Sequence, residues 1–78
     1  MSEIQARPAE PSVLGALIEA VDQRVRTHGC PNNLAGTLAA AVDLGIPWPP
    51  LEAWLVRHGG YCDCEVVFNV GPQLATLS

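Results

Sequence analysis

The hydrophobic positions in the first part of the chain recur at the spacing of an amphipathic helix. Between residues 12 and 28 they fall on one stripe, most charged residues fall away from it, and Gly29 follows as a helix-ending residue. The stripe consists of Val13, Leu14, Leu17, Ile18, Val21 and Val25. This pattern predicts a first helix over about residues 12–28, with Ser12 as its N-cap.

Two shorter helices are predicted after the first. Residues 30–33, Cys-Pro-Asn-Asn, are typical of a helix start, and Gly45 would end this second helix. The run 46–50 contains three prolines, which predicts a stiff connector because each proline fixes its own φ angle. The Leu-x-x-Trp-Leu spacing at 51–55 then predicts a third helix of about nine residues that ends at His58.

From Tyr61 to Val70 the hydrophobic pattern changes to alternation, which predicts a β-strand. The side chains that would share one face of this strand are Cys62, Cys64, Val66, Phe68 and Val70. A lone strand cannot pair its own backbone groups, so it would pair with a second copy or with another extended stretch, or the segment would be a helix instead. Its β-branched and aromatic residues favour the strand. We therefore expect a mostly α fold, a small three-helix domain with one C-terminal β-strand segment (α+β) that could pair across a dimer.

The predicted domain organisation is a flexible arm over residues 1–11, a single small domain over 12–70 and a flexible tail over 71–78. The chain has 78 residues, of which 49% are hydrophobic, so it has enough apolar content to collapse into one core. A core of this size gives marginal stability, and an additional crosslink or metal would strengthen it.

The charge composition restricts the partners that can be expected. Four arginines and no lysine stand against eight acidic residues, which gives a formal charge of −4. Nucleic acids and anionic membranes are disfavoured because both attract clustered Lys and Arg. The longest apolar run, residues 38–42, is far below the roughly 18 residues of a membrane span. The first eleven residues lack the pattern of an export signal, so a cytoplasmic location is expected, where thiols stay reduced.

Three cysteines provide the most specific chemical signal in the sequence. On an extended chain Cys62 and Cys64 point the same way, and Cys30 at a helix start can approach them as a third thiolate. Cysteine thiolates bind Zn²⁺ tetrahedrally, so this set predicts a zinc site. His28 and His58 both lie close in sequence to these cysteines, and the choice between them as fourth ligand stays open.

Other interpretations of the same residues lead to different functions. Cys62 and Cys64 could be small buried hydrophobes in a metal-free homodimeric structural protein, or the reactive pair of a thiol-redox protein or enzyme. Asp63 and Glu65 would lie opposite the thiols on a strand, so we expect them to be solvated and not catalytic. A chain this short leaves little room for a substrate pocket beside its core, which favours a protein that is not an enzyme.

One segment of the chain resembles a known signature. Residues 59–66, Gly-Gly-Tyr-Cys-Asp-Cys-Glu-Val, with Trp-Leu at 54–55 and Asn-Val at 69–70, resemble the signature of a bacterial family of uncharacterised proteins, domain of unknown function 2695. The resemblance covers roughly residues 28–70 and implies a self-contained small bacterial domain without a known activity. The leading hypothesis is a structural zinc-binding accessory module that binds another protein or a second copy of itself.

Overall fold

The structure, a computed structural model, describes residues 8–77, with side chains as far as Leu74. Four helices follow one another along this part of the chain. Helix α1 spans Pro11–His28, α2 spans Ala35–Leu44, and α3 spans Trp48–Arg57. The C-terminal helix covers residues 63–77 and has three successive parts, the α-helical turn Asp63–Glu65, the π-helical segment Val66–Val70 and the α-helical segment Gly71–Leu77.

Helix α1 lies at the centre of the packing, in contact with both α2 and the C-terminal helix. Leu14, Leu17 and Val21 on its apolar stripe are fully buried, which agrees with the spacing seen in the sequence. The helix begins slightly earlier than predicted, because Glu10 is the N-cap residue and Pro11 takes the first helical position. Proline is well tolerated there since its missing N–H would have no partner within the helix.

Helices α2 and α3 begin at places that differ from the predictions. Helix α2 begins at Ala35, several residues after Cys30. Helix α3 begins at Trp48, so the proline-rich run predicted as a connector supplies the first turn of this helix. Proline lacks a backbone N–H, and the N–H groups of a first turn have no acceptor within the helix. The prolines therefore cost this turn no hydrogen bond. Leu51, Trp54 and Leu55 are buried against the core, as their spacing predicted.

The prediction of a strand over residues 61–70 is wrong. Val66 and Val70 are fully buried and Leu74 nearly so, whereas Phe68 is 71% exposed. Burial every fourth residue is the period of a helix, and a strand would have buried Phe68 together with Val66 and Val70. Among the described residues there is no strand, so the fold is helical and not α+β, and a dimer built by pairing these strands has no basis in the structure.

Glycine at position 60 allows the turn after α3 to lie close to the C-terminal helix. A Cβ atom at this position would lie 3.0 Å from Val70 Cγ2 and 3.2 Å from the backbone oxygen of Leu55. The Gly60 N–H donates to this same Leu55 oxygen at 2.7 Å. A side chain at position 60 would therefore crowd the Val70 side chain and the Leu55 backbone oxygen.

The chain beyond residue 70, predicted as a tail, belongs to the helical body where it is described. Leu74 contributes to the core, and the Gln73 side chain donates to the backbone oxygens of His58 and Asn69. Residues 1–7 of the predicted N-terminal arm lie outside the described residues. None of the helices in the described part of the chain is long and apolar enough to span a bilayer.

Candidate metal centre

The candidate site is formed where the loop between α1 and α2 meets the start of the C-terminal helix. The Asp63 N–H donates to the backbone oxygen of Asn33 at 2.9 Å, which holds the two segments side by side. Each segment also supplies a side-chain acceptor to the first turn of the other segment's helix. Asp63 and Cys30 are these two acceptors, and between them they satisfy amide groups that a helix start leaves without a partner.

Asp63 caps helix α2 from a distance of more than twenty residues in sequence. Its Oδ2 accepts from the Gly36 N–H at 3.1 Å, and its Oδ1 accepts from the Thr37 N–H at 3.1 Å and the Thr37 hydroxyl at 2.7 Å. The side chain of Asn33 accepts from the Ala35 N–H at 2.9 Å. Three amides in the first turn of α2 are thus satisfied, and the carboxylate lies at the positive end of the helix.

The expectation that Asp63 is solvated is therefore wrong, because only 2% of its surface is exposed. A buried carboxylate has to be compensated by hydrogen bonds or opposite charge, and the start of α2 provides three hydrogen bonds. Glu65 is half-buried, and its Oε1 accepts from the Tyr61 N–H at 3.3 Å. Asp63 thus stabilises the start of the distant helix α2, and Glu65 stabilises the turn that precedes its own helix.

Glycine at position 36 permits the close approach of Asp63. A Cβ atom there would lie 2.5 Å from Asp63 Oδ2 and 3.0 Å from Arg24 Nε. The first distance is shorter than real Cβ contacts, so any larger residue would displace the carboxylate from the start of α2.

The three cysteine sulfurs lie together beside these caps. Cys62 Sγ and Cys64 Sγ are 3.3 Å apart, and the Cys64 N–H points to Cys30 Sγ at 3.4 Å. All three sulfurs lie within 4.8 Å of one another, and each residue is half-buried. Zinc bound tetrahedrally at about 2.3 Å places its sulfur ligands about 3.8 Å from one another. The 3.3 Å separation and the 4.8 Å upper limit lie on either side of that value, which is compatible with a metal ion bound by all three sulfurs.

The first turn of the C-terminal helix brings Cys62 and Cys64 together. Cys62 is the N-cap residue, with extended backbone angles, and Cys64 follows in the first turn. The sequence predicted that these two thiols share a face of a strand, and the structure juxtaposes them at the positive end of a helix instead.

The hydrogen bonds within the cluster give its thiols different acidities. The backbone N–H groups of Cys64 and, to a smaller degree, of Asn32 stabilise the Cys30 thiolate and lower the pKa of Cys30 below its ordinary value. Side-chain hydrogen bonds to Cys30 and Cys62 raise the pKa of Cys64 to about 12. The cluster therefore retains protons among its sulfurs, and a divalent cation would replace them when it binds.

The two histidines predicted as alternative fourth ligands lie outside the cysteine cluster, which contains just Cys30, Cys62 and Cys64 among the described residues. The ring of His58 packs against that of Trp54 with centroids 4.9 Å apart, and its Nδ1 is 2.9 Å from Gln73 Oε1. His28, the last residue of α1, lines a cavity of about 190 Å³ with Arg24 and Asp63. A ligand role for either histidine stays a prediction.

A comparison with known families matches more than half of the chain. A family model described as a protein of unknown function (DUF2695) matches residues 17–69. The chain belongs to this family. The resemblance inferred from the sequence is thereby confirmed. The DUF2695 match includes all three cysteines, the loop between α1 and α2 and the start of the C-terminal helix.

Relatives of the chain are found in mycobacteria. The chain is 37% identical over 60 residues to the uncharacterized proteins Mb2294 of Mycobacterium bovis and Rv2271 of Mycobacterium tuberculosis. The match covers 77% of this chain and 61% of each relative, so the chain spans about three fifths of the length of the curated relatives it matches. No solved structure matches this DUF2695 chain at a significant level.

The functional residue that sequence reasoning missed is Asp63. A signal for the helix start was present, because Glu65 follows Cys62 at the spacing of a capping box and Asp63 adds a second acid to the same turn. The role of Asp63 as the cap of α2 had no local signal, since its partners Gly36 and Thr37 are distant in sequence.

Proposed function

We propose that this DUF2695 domain binds one Zn²⁺ ion through Cys30, Cys62 and Cys64, and that the metal is structural. The observation that supports the proposal is the convergence of three sulfurs, from segments far apart in sequence, to within 4.8 Å of one another. Thiolates are the preferred ligands of structural zinc, and cysteines that are grouped for packing alone need not point at a common centre.

The metal would strengthen a contact that already joins two helix starts. Cys30 precedes α2, and Cys62 and Cys64 begin the C-terminal helix, so zinc would link the two segments that Asp63 joins by hydrogen bonds. Because the core of a 78-residue chain gives marginal stability, such a link would contribute substantially to folding. Bound zinc would also neutralise most of the charge of the three thiolates.

We further propose that the zinc-stabilised domain acts by binding another protein. Two exposed aromatic side chains support this suggestion, since Tyr61, next to Cys62, is 62% exposed and Phe68, on the C-terminal helix, is 71% exposed. Tyr61 directly precedes Cys62, so a metal that orders the start of the C-terminal helix would also fix this aromatic residue. Aromatic residues are enriched among those that dominate binding at protein interfaces.

A second candidate function is thiol–disulfide exchange by Cys62 and Cys64. The observation that favours it is the 3.3 Å separation of their sulfurs, which brings one thiol next to the other. Formation of a disulfide would release two protons and two electrons to an external disulfide acceptor. The two candidate functions predict different masses for the isolated protein. Zinc binding adds the mass of the ion, and a disulfide lowers the mass by two hydrogens.

Native mass spectrometry of protein purified without chelator distinguishes these candidates. We expect one Zn²⁺ per wild-type chain, none in Cys30→Ser, and one in the control Thr27→Ser, whose exposed site lies in the last turn of α1. Metal-free wild-type protein would contradict the zinc proposal, and a loss of two hydrogens would support the redox candidate. The same spectrum gives the number of subunits, which tests self-association.

A further inference from the structure

The described residues offer three sulfurs to a metal ion, whereas zinc prefers four ligands. Three other side chains that could bind a metal ion have partners elsewhere in the fold. Asp63 caps α2, Glu65 accepts from the Tyr61 N–H, and His58 contacts Gln73 and Trp54. If Asp63, Glu65 or His58 closed the site, that side chain would have to leave its present partners, and His28 lies outside the cluster.

The cluster also lies close to solvent. Cys30, Cys62 and Cys64 are all half-buried, and their neighbours Pro31 and Tyr61 are exposed. A fourth ligand could therefore reach the metal from solution without any movement of the core. Three-ligand zinc sites that keep such an open position bind water or an exchangeable ligand there.

We infer that the metal held by Cys30, Cys62 and Cys64 keeps its fourth coordination position for an exchangeable neutral donor, which is water in the free protein and an imidazole nitrogen when one is supplied. This inference rests on the proposed function, because it requires the metal to bind. It goes beyond that function by assigning a ligand-binding position to the site.

The charge around the site determines the class of ligand. Zn²⁺ with three thiolates carries one net negative charge, and the carboxylates of Asp63 and Glu65 lie on the same helical turn. The chain as a whole has a formal charge of −4. A further anion would be repelled by this field, whereas a neutral nitrogen or oxygen donor would not.

Cobalt substitution makes the fourth position visible, because the d–d absorption of tetrahedral Co²⁺ responds to each ligand. With Co²⁺-loaded protein we expect a saturable shift of these bands on adding imidazole, at constant thiolate-to-cobalt charge-transfer intensity. Acetate, an anion of similar size, is expected to leave the bands unchanged. Loss of the charge-transfer band on adding imidazole, or a response to acetate, would overturn the inference.

Three variants test whether the protein itself supplies the fourth ligand. His28→Ala and His58→Phe remove the two candidate nitrogens, with an aromatic ring retained beside Trp54, and Glu3→Gln removes the one carboxylate side chain outside the described residues. We expect all three Co²⁺ spectra to match the wild type before imidazole is added. A changed starting spectrum in any folded variant, or no wild-type response to imidazole, would overturn the open position. Absence of a charge-transfer band from the wild type would instead refute metal binding itself.

Discussion

Asp63→Ala is expected to lower the free energy of unfolding by about 3–5 kcal/mol, the range found when one partner of a buried charged interaction is removed. The substitution leaves the Gly36 and Thr37 amides and the Thr37 hydroxyl without their acceptor in a buried place. For a chain of this length the total is roughly 4–12 kcal/mol, so the variant should be largely unfolded well below the wild-type melting temperature. Urea unfolding followed by circular dichroism at matched zinc content measures the difference.

The matched control is Asp43→Ala, which changes an exposed aspartate near the end of α2, the helix that Asp63 caps. This substitution should be neutral or slightly stabilising, because a negative charge near a helix C-terminus is unfavourable. Asp63→Asn keeps one acceptor but turns an amide donor towards another donor, and we expect an intermediate loss. If Asp63→Ala and Asp43→Ala unfold at the same urea concentration, the capping role of Asp63 is refuted.

Gly36→Ala tests the same contact from the opposite side. The new methyl group would displace Asp63 Oδ2, and the loss should be greater than the small gain in helix propensity from alanine. Gly15→Ala is the control, since nothing lies within 4 Å of its new methyl group in helix α1. Stabilisation by both substitutions alike would show that the contact between Asp63 and Gly36 contributes little.

Removal of zinc is expected to lower the melting temperature by roughly 15–30 °C. When free zinc exceeds its dissociation constant a thousandfold, binding stabilises the folded state by about 4 kcal/mol, and each kcal/mol shifts the melting temperature of a small domain by about 4–8 °C. Thermal unfolding with zinc and with a strong chelator measures the shift, and a phosphine reductant keeps the thiols reduced without competing for the metal.

The Cys30→Ser variant is the control for this measurement. Its zinc site lacks one of three sulfurs, so its melting temperature should be close to that of the chelated wild type and should respond little to chelator. Superimposable wild-type curves with and without chelator would contradict a structural role for the metal. An equal shift in Cys30→Ser would show that the chelator acts at another place.

The helices that could be predicted are those whose signals are local. Leu14, Leu17 and Val21 repeat at the helical period, and their burial follows from that repeat. The start predicted for helix α2 is too early in the sequence. The actual start depends on the distant Asp63, which no local pattern identifies. The apolar stripe of a helix can be recognised in a single sequence. The residue at which the helix begins is harder to predict when tertiary contacts determine it.

The error at residues 61–70 has a definite physical cause. Val66, Phe68 and Val70 alternate with their neighbours and favour a strand by intrinsic preference, but Val66, Val70 and Leu74 also form a helical stripe. The second pattern extends past residue 70, into the segment predicted as a tail. Packing against α1 decides between the two, since it buries the helical stripe and leaves Phe68 exposed.

The sequence predicted which cysteines come together at the candidate site, but not how the chain brings them together. Cys30, Cys62 and Cys64 converge as the metal hypothesis expected, although a helical turn and not a strand brings the last two together. The histidines were proposed from closeness in sequence, which does not determine the direction of a side chain. His58 instead joins the end of α3 to Gln73 on the C-terminal helix.

X-ray absorption at the zinc edge of the loaded protein tests most directly whether the three cysteines bind the metal. We predict a shell of three sulfur atoms at about 2.3 Å and one lighter atom, nitrogen or oxygen, at about 2.0–2.2 Å. The sulfur shell should be absent from Cys30→Ser, because that variant is expected to bind no zinc. A wild-type spectrum without sulfur ligands, or with the same sulfur shell in that variant, would contradict a zinc site formed by Cys30, Cys62 and Cys64.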